Sequence, residues 1–406
     1  MKKLANDAVL IAVGDELLSG TGKEANCAWL AARLTSLGWK VLSIQIVPDS
    51  EEVLSQILGS WLGQTDIIVI SGGLGPTHDD RTREALSRLL ESPLVRRDDH
   101  YERILSRYEG DIKIVLQESA NKQAMVPACA EALYNPQGSA LGIRAEKKGT
   151  KLYAFPGVPW EFQSLAEKEL LSGLTPSGKL QRVIRVVGWP ESRLKTKIEP
   201  VLENQTLSVS ILPSPNCVTL SFFGFPEAVE EALRKVKDLL PEDILPEGAD
   251  SLAEAVFMEA LKRKTRIALA ESCSGGLVGA ALTEIPGVSE VFAGSAVCYE
   301  NEAKISLLGV SSATLEEHGA VSEECAREMA EGALRIFKVP FSLAVTGIAG
   351  PGGARPGKPV GTVCFALCSP EGLSTWTRKF HGDRAGVRRW TVAFGLEKLW
   401  RELRGI

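Results

Sequence analysis

Short, continuous apolar runs alternate with helix-like periodicity along the first third of the chain. The runs "AVLIAVG" (8–14) and "DIIVISGG" (66–73) end in glycine, as buried parallel strands do. Between them, "ANCAWLAARLTSLGW" has the apolar spacing of a helix, "KVLSIQIV" (40–47) predicts a strand, and "SEEVLSQILGSWL" predicts a helix capped by Ser50. This order of strand, helix, strand, helix and strand indicates a parallel sheet covered by helices.

The pattern changes twice farther along the chain. A stretch rich in Ser, Gly and Pro at 172–179 precedes runs that predict strand, helix, strand, strand and helix. After a second break at 245–251, predicted helices and strands alternate again. We therefore predict an α/β protein in which two α/β/α sandwich domains with largely parallel sheets, at 1–172 and 248–406, are joined by a small α+β module at 173–247.

Composition narrows the class of protein. With 406 residues, of which 44% are hydrophobic and 24% charged, the chain is typical of a globular protein with several domains. No apolar run is long enough to span a bilayer and no signal-peptide pattern is present, so we expect a cytoplasmic protein without membrane contact. The net charge of −5 argues against direct nucleic-acid binding. The eight cysteines form no CxxC pair, which favours reduced, buried thiols.

The first candidate site follows the strand at 66–73, where a glycine-rich turn precedes an acidic pair that is expected to open a helix. Glycines let backbone N–H groups approach an oxyanion, and a helix N-terminus adds positive potential. Acidic side chains at neighbouring strand ends converge where such sheets bind ligands, and a carboxylate pair can hold a divalent cation. The same residues could instead serve only a tight turn and a helix cap. The candidates are Asp15, Glu16, Gly72, Gly73 and Gly75, with Asp79 and Asp80 as metal ligands.

The second candidate site is the strand-to-helix turn in "AESCSGGLVG" (270–279). Such a turn presents side chains at the carboxyl end of a sheet, where backbone donors face developing negative charge. Cys273 could act as a nucleophile with a lowered pKa, whereas Ser272 would need a base, which Lys304 in "CYENEAK" could supply. The plain structural alternative is that Ser272 caps a helix and that Lys304 is a solvated surface residue.

Two further segments complete this second site. A strand ending in Thr346 and Gly347 continues as the glycine-rich loop "AGPGGARPGKPVG", a candidate wall for a phosphate or an oxyanion. Arg384 and Arg388 in "GDRAGVRR" could bind a phosphate, or could be ordinary surface charge. The residues alone therefore predict a hydrolase-like α/β site for a phosphorylated small molecule.

Several of these motifs, in this order, resemble one family. "AESCSGGLVG", "GSAVCYENEAKISLLGV", "HGAVSEECAREMAEGAL", "VTGIAGPGG" and "KPVGTVCFAL" resemble the C-terminal domain of the CinA (competence/damage-inducible) family, which also stands alone as nicotinamide mononucleotide (NMN) deamidase. "GDELLSG", "SGGLGPTHDDRTREA", "NPQGSALG" and "FPGVPWEF" resemble its N-terminal domain, which is akin to molybdopterin-binding proteins. The middle segment "VVGWPESRL" also fits this family.

For the C-terminal domain, the resemblance implies hydrolysis of NMN to nicotinic acid mononucleotide and ammonia, as part of the pyridine nucleotide cycle and NAD salvage. It implies Ser272 as the nucleophile and Lys304 as its base, assisted by Tyr299, with no cofactor. Substrate contacts would come from Cys273, Ser274, Gly275 and Gly276 through their backbone N–H groups, from Thr346 and Gly347 in the wall, and from Arg384 and Arg388 at the phosphate.

For the N-terminal domain, the resemblance implies ADP-ribose pyrophosphatase activity with a divalent metal (Mg, Mn or Co). One departure weakens it: relatives carry Asn/Asp-Thr-Asn after the "GDE" motif, whereas this chain has Glu24, Ala25 and Asn26, so that only Asn26 is kept as a nucleotide-site residue. The family also implies a homodimer. The rival interpretation is a non-catalytic nucleotide- or pterin-binding accessory protein in competence or the DNA damage response.

Overall fold

The structure is a computed structural model that describes residues 6–106, 114–202 and 207–406. The chain divides into two compact units. The first comprises Met1–Gln181 with Phe223–Val229, and the second comprises Arg182–Phe222 with Glu230–Ile406. The three-domain division expected from the sequence stays a prediction.

The first unit is built on a six-stranded sheet of order β2-β1-β3-β8-β7-β6. Its strands are β1 (Asp7–Val13), β2 (Lys40–Val47), β3 (Ile67–Ser71), β6 (Glu131–Leu133), β7 (Gly142–Lys147) and β8 (Thr150–Phe155), while β4 (Leu94–Arg96) and β5 (Met125–Pro127) form a separate antiparallel pair. Strands β2, β1, β3 and β8 run parallel, and β7 and β6 complete the sheet antiparallel. The carboxyl ends of the four parallel strands therefore share one edge.

Helices cover both faces of this sheet because its central strands are apolar on both sides. In β1, Val9, Ile11 and Val13 pack in one core cluster, whereas Ala8 and Leu10 pack in the other. The helices are α1 (Asp15–Leu18), α2 (Asn26–Ser36), α3 (Glu51–Trp61), α4 (Thr82–Leu90), α5 (Asp98–Leu105), α6 (Gln117–Gln123) and α7 (Pro159–Leu165). The predicted α/β/α arrangement of this unit is confirmed.

The middle segment follows the predicted order of strand, helix, strand, strand and helix. These elements are β9 (Leu180–Val187), α8 (Glu191–Leu202), β10 (Ser208–Ser214), β11 (Cys217–Gly224) and α9 (Pro226–Leu239), and the sheet order is β10-β11-β9. In β11, Val218, Leu220 and Phe222 alternate with less buried residues, as expected of a sheet with one covered face.

The rest of the second unit contains a five-stranded sheet of order β13-β12-β14-β15-β16. Its elements are α10 (Leu252–Arg263), β12 (Ile267–Glu271), α11 (Leu277–Thr283), β13 (Phe292–Val297), α12 (Asn301–Leu308), α13 (Ser312–Glu317), α14 (Glu323–Phe337), β14 (Phe341–Gly347), β15 (Thr362–Ser369), β16 (Gly372–Lys379) and α15 (Arg384–Arg404). Strands β13, β12 and β14 are parallel, and β15 and β16 add antiparallel pairs.

The predicted α/β fold class is thus confirmed, with parallel strands at the centre of each large sheet. Strand β16 was not predicted, because as an edge strand it exposes most of its side chains and lacks an apolar run. Within the described parts of the chain, no helix combines the length and apolarity needed to cross a bilayer.

Candidate functional site

Ser272 lies in the tight turn between β12 and α11, at the carboxyl end of the second unit's sheet. Its amide donates to the carbonyl of Val345 in the neighbouring strand over 3.0 Å, and its side chain is largely buried. The chain turns into α11 through Gly275 and Gly276, whose φ angles of 60° and 90° favour glycine. The turn expected from the sequence is therefore present, with Ser272 at its first position.

The backbone donors of this turn are fewer than the four expected from Cys273 to Gly276. The amide of Gly275 donates to the Ser272 carbonyl over 3.0 Å, so it is not free for a ligand. Among the described residues, no carbonyl or side-chain oxygen accepts from the amides of Cys273, Ser274 or Gly276. The amides of Cys273 and Ser274 do contact the Cys273 sulfur, so the Gly276 amide is the donor of this turn that has no contact among the described residues.

Glu271, just before Ser272, fixes the start of α11. Its carboxylate is 1% exposed and accepts from the amides of Val278 (3.0 Å) and Gly279 (2.8 Å) and from the hydroxyl of Ser295 (2.9 Å). A carboxylate at this position satisfies helix amides that otherwise lack partners. The sequence analysis missed this role. A usable signal was the position of this glutamate at the end of a strand whose other residues are all apolar.

Lys304 is buried at 1% exposure, so the alternative that it is a solvated residue is wrong. Its Nζ donates to the carbonyls of Cys298 (3.0 Å), Tyr299 (3.1 Å) and Glu300 (3.5 Å), and no carboxylate pairs with it among the described residues. Burial lowers the pKa of Lys304, because desolvation disfavours the ammonium form. A lysine in this state is suited to accept a proton.

Cys298 links the lysine to Glu271, the last residue of β12 and the neighbour of Ser272. Its amide donates to the Glu271 carbonyl over 2.8 Å, while its own carbonyl accepts from Lys304. No hydrogen bond joins the Ser272 hydroxyl to Lys304 Nζ in the described structure, and apo catalytic contacts often tighten only when substrate binds. Ser272 therefore follows β12 and Lys304 is on α12, and Cys298, just after β13, connects the two through hydrogen bonds.

Cys273 does not have the environment of an activated thiol. Burial raises its pKa to about 12, so the thiol is protonated at neutral pH. This disfavours the cysteine as a nucleophile and leaves the neighbouring Ser272.

Thr346 and Gly347 end β14 beside this turn, as expected. The Thr346 hydroxyl is buried and donates to the Ala320 carbonyl over 2.7 Å, so it can only accept from a ligand. Ser274 Oγ is also buried and lacks a hydrogen-bond partner in the described structure. The Thr346 hydroxyl therefore offers an acceptor, whereas the Ser274 hydroxyl can either donate or accept.

Arg384 and Arg388 are on the first turns of α15 and line a cavity of about 480 Å³. Arg384 donates to the Gly350 carbonyl and the Tyr299 hydroxyl, both over 2.8 Å, and Arg388 donates to the Ser274 carbonyl over 2.7 Å. No carboxylate in the described chain forms a salt bridge with either arginine. Two arginines without a salt-bridge partner in the described chain therefore border this cavity. Their hydrogen bonds connect α15 to the segments that follow β12, β13 and β14.

The first unit has its own cavity of about 410 Å³ at the carboxyl end of its parallel strands. Of the predicted residues, those lining it are Glu16, Gly72, Gly73, Gly75, Asp79 and Asp80. Asp15 does not line it; its amide instead donates to Asp49 over 2.9 Å. The structure therefore brings together most of the residues that the sequence placed at this edge.

The acidic pair is arranged differently from the prediction, because α4 begins only at Thr82. Asp80 turns back on the loop and accepts from the amides of Gly75 (2.7 Å) and Thr77 (2.8 Å). Its oxygens thus shape the turn rather than point away from it. Asp79 is exposed, and a hydrogen bond from Thr77 lowers its pKa, so it is ionised at neutral pH.

Asp49, which the sequence analysis missed, lines the same cavity after β2. Partial burial raises its pKa, and the negative charges of Asp15, Glu16 and Asp79 raise it further, against a lowering by the Asp15 amide. Its position after the strand at 40–47, next to β1, was the signal that could have identified it.

Asn26 is buried beneath this cavity. Its side chain donates to the Ser71 hydroxyl (2.9 Å) and the Gly157 carbonyl (2.7 Å), and its Oδ1 has no partner in the described structure. Glu24, one of the departures from the family pattern, accepts from the Cys27 amide over 2.6 Å and thereby caps α2. Asn26 is therefore a support for the cavity wall at Gly157.

The carboxylates do not form a preformed metal centre. No group of three or more His, Cys, Asp or Glu side chains in the described ranges could hold a metal ion, and Asp80 is already occupied by the loop. Mg²⁺ commonly binds one or two carboxylates together with substrate phosphates. The residues therefore fit a divalent cation only if it binds one or two of these carboxylates together with phosphate oxygens of a bound ligand.

Comparisons with known proteins cover the whole chain. A model described as the CinA C-terminal domain matches residues 249–403, and one described as a probable molybdopterin binding domain matches residues 9–175. A CinA-like protein of Fervidobacterium nodosum is 36% identical over 402 residues, 97% of this chain and 98% of that protein. A CinA-like protein of Anaeromyxobacter dehalogenans is 35% identical over 97% of this chain and 99% of its own length. The crystal structure of the competence/damage inducible protein CihA from Agrobacterium tumefaciens covers 38% of this chain and 93% of its own, with 41% identity and a TM-score of 0.37.

Proposed function

Because the chain belongs to the CinA family, as relatives that match 97% of its length show, we propose that its second unit is a nicotinamide-nucleotide amidohydrolase. The observation that carries this proposal is a buried lysine without a carboxylate partner among the described residues, which is joined through Cys298 to Glu271, the residue before Ser272. The reaction would convert NMN and water to nicotinic acid mononucleotide and ammonia, as a step of pyridine nucleotide recycling.

The proposed chemistry is acyl transfer through Ser272. Its Oγ attacks the carboxamide carbon while its proton moves to neutral Lys304 Nζ, and the C–N bond then breaks as Lys304 returns that proton to the leaving ammonia. A water molecule then gives a proton to Lys304 and its oxygen attacks the acyl carbon. The ester C–O bond breaks, Lys304 passes that proton to Ser272 Oγ, and the carboxylic acid leaves. Atoms and charges balance, since one water is consumed for each ammonia released.

The surroundings support each step of this scheme. The Gly276 amide would donate to the tetrahedral oxyanion, and the amides of Cys273 and Ser274 would join it by exchanging the Cys273 sulfur for the oxyanion. The lowered pKa of Lys304 raises the fraction of neutral amine that can act as the base. Arg384 and Arg388 offer charge for the phosphate of the nucleotide, and Tyr299 holds Arg384 through its hydroxyl. Tyr299 is thus proposed to act by positioning this arginine.

The test is ammonia release and product identification with NMN, for wild type, Ser272→Ala and Cys273→Ala. We expect wild type and Cys273→Ala to form nicotinic acid mononucleotide and folded Ser272→Ala to form none. If folded wild type releases no ammonia, the proposal fails. If Ser272→Ala is active and Cys273→Ala is not, the nucleophile has been assigned wrongly.

We further propose that the first unit hydrolyses ADP-ribose at its diphosphate, with a shared divalent cation. The observation in favour is the cavity that combines a glycine-rich turn with the carboxylates of Glu16, Asp49 and Asp79. When bound, the cation would neutralise phosphate charge, and Asp79 and Asp49 are the carboxylates that would hold it. The test is AMP release from ADP-ribose with Mg²⁺, Mn²⁺ or Co²⁺ and with a chelator. Binding without AMP release would instead favour the accessory, nucleotide- or pterin-binding alternative.

We also propose that the protein is a cytoplasmic homodimer and that it binds neither membranes nor nucleic acid. Sedimentation of the purified protein tests the dimer, and a salt-dependent mobility shift with duplex DNA would contradict the absence of nucleic-acid binding.

A further inference from the structure

The glycine-rich turn of the first unit is held from below by two buried residues at the start of α4. The amide of Thr82 donates to the Gly73 carbonyl over 3.1 Å, and its hydroxyl donates to the Gly72 carbonyl over 2.9 Å. Arg83 donates to the Gly75 carbonyl over 3.1 Å and to the Leu74 carbonyl. Four successive carbonyls of the turn are therefore all engaged by Thr82 and Arg83.

This anchoring fixes the direction of the amides, because C=O and N–H of one trans peptide point to opposite sides. Where the carbonyls of Gly72, Gly73 and Leu74 point at Thr82 and Arg83, the next amides, those of Gly73, Leu74 and Gly75, point away. The Gly75 amide confirms this: it donates to the carboxylate of Asp80 over 2.7 Å. The amides of Gly73 and Leu74 have no acceptor in the described structure.

Three features mark this row of amides as an anion receptor. Gly73 and Leu74 both line the cavity of about 410 Å³. Gly72 and Gly73 have φ angles of 101° and 68°, and successive amides in such turns form concavities that bind anions. The third amide of the row already binds an anionic oxygen, that of Asp80, which shows the kind of group that the other two would accept.

Arg83 adds a buried positive charge behind the same turn. Its side chain is 1% exposed, its Nε has no partner, and no carboxylate forms a salt bridge with it in the described chain. Burial lowers the pKa of Arg83 to about 10, which still leaves it charged at neutral pH. The carboxylates of Glu84 and Asp80 stabilise this charge without forming a salt bridge, and the guanidinium makes its hydrogen bonds to the carbonyls of the turn.

We propose that Thr82 and Arg83 are positioning residues for phosphate binding: they hold the turn so that the amides of Gly73 and Leu74 receive one phosphate of the ligand, with the charge of Arg83 behind them. This inference rests on the proposed diphosphate substrate of the first unit. The inference adds that the amides of Gly73 and Leu74 bind the phosphate. It also adds that the side chains of Thr82 and Arg83 orient these amides without touching the ligand.

The experiment measures binding of inorganic pyrophosphate and of ADP-ribose by calorimetry to the full chain. The variants are Arg83→Met, Arg83→Lys and Thr82→Val, with Arg88→Met as the control, since Arg88 is an exposed arginine on the same helix. We expect Arg83→Met to bind pyrophosphate about tenfold more weakly or worse, and Arg88→Met to bind like wild type. Arg83→Lys should recover only part of the affinity. A single ammonium group cannot reproduce the two hydrogen bonds that the planar guanidinium donates to the carbonyls of Leu74 and Gly75.

A second readout separates positioning from general destabilisation. Hydrogen exchange of the peptide that contains the turn should speed up in Arg83→Met and Thr82→Val while peptides of β1 and β3 stay protected. If Arg83→Met fails to fold, Thr82→Val provides the same test, because it removes the hydrogen bond from the Thr82 hydroxyl to the Gly72 carbonyl. A folded Arg83→Met with wild-type pyrophosphate affinity would overturn the inference, as would a wild type that binds neither ligand. A wild type that binds pyrophosphate in the Arg83-dependent manner but releases no AMP would instead refute only the proposed activity.

Discussion

Lys304→Met gives the sharpest test of the proposed deamidase, because it removes the base while keeping a side chain of similar length. Wild-type Lys304 Nζ donates to three backbone carbonyls in a buried position. The variant removes a costly buried amine but leaves these carbonyls with fewer donors. Since each loss is worth about 1–3 kcal/mol and they oppose each other, we expect the free energy of unfolding at pH 7 to change by less than about 2 kcal/mol. The variant should therefore fold.

The expected loss of activity is much larger than this change in stability. A positioned general base contributes about 10²–10⁴-fold to a rate, so kcat for NMN should fall by at least about a hundredfold. In wild type, kcat/KM should rise with pH as Lys304 loses its proton, with a midpoint below the ordinary 10.5 because burial lowers this pKa.

Unfolding provides an independent check with a definite sign. Because the folded pKa of Lys304 is below its unfolded value, the unfolded chain binds more protons between the two values, and wild-type stability gains from rising pH in that window. Lys304→Met lacks this gain, so the stability difference between variant and wild type should change in favour of wild type from pH 7 to 10.

The assay is ammonia release and urea unfolding across that pH range, with Lys147→Met as the control. Lys147 donates to the Leu89 carbonyl in the other unit, so its loss should leave deamidation unchanged. The reasoning is refuted if folded Lys304→Met retains more than about a tenth of wild-type kcat, or if its stability follows pH in the same way as that of wild type.

Three further changes test other parts of the structure. Arg388→Met should raise KM for NMN about tenfold more than KM for nicotinamide riboside, because losing its bond to the Ser274 carbonyl affects both substrates; equal effects on both would exclude a phosphate contact. Glu271→Gln keeps the shape but loses the carboxylate cap of α11, so urea unfolding should show a loss of about 1–3 kcal/mol and ammonia release should slow; wild-type stability would contradict the capping role. Asp49→Asn removes a carboxyl with a raised pKa, whose contribution to stability falls as pH rises above the ordinary 3.8. Thermal unfolding from pH 3.5 to 7 should therefore show the variant gaining on wild type as pH rises, and parallel curves would refute the raised pKa.

The fold was largely predictable from sequence because its central strands are buried on both faces. The apolar run at 40–47 became β2 with the predicted bounds, and Ser50 caps α3 by accepting from the Val53 amide over 3.4 Å. These signals are local: an apolar run needs a covered sheet, and a cap needs only its own helix. Strand β16 shows the limit, since its place is set by pairing with β15 and not by its own side chains.

The sequence predicted where the candidate sites lie in the fold, but it predicted few of the hydrogen bonds within them. Residues at strand ends were correctly brought to one edge, yet Asp80 bonds to its own loop and Gly75 supplies one of the amides it uses. Which donor is free and which is already used depends on bonds between distant segments, such as the one from Arg388 to the Ser274 carbonyl. Sequence periodicity carries no information about such bonds.

Helix α15 connects the cavity of the second unit with the middle segment. Its first turns carry Arg384 and Arg388, while Arg401 near its end donates to Glu397 (2.7 Å) and to Asp243 (2.8 Å) of the middle segment. At 1.5 Å per residue, Arg388 and Arg401 are roughly 20 Å apart along one rigid rod. A shortened gene product that lost residues 182–247 would strip the far end of this rod of an ionic partner while leaving both arginines at the cavity. In such a product Arg401 would keep Glu397 but lose Asp243, so the electrostatic change would arise roughly 20 Å from the arginines that border the cavity.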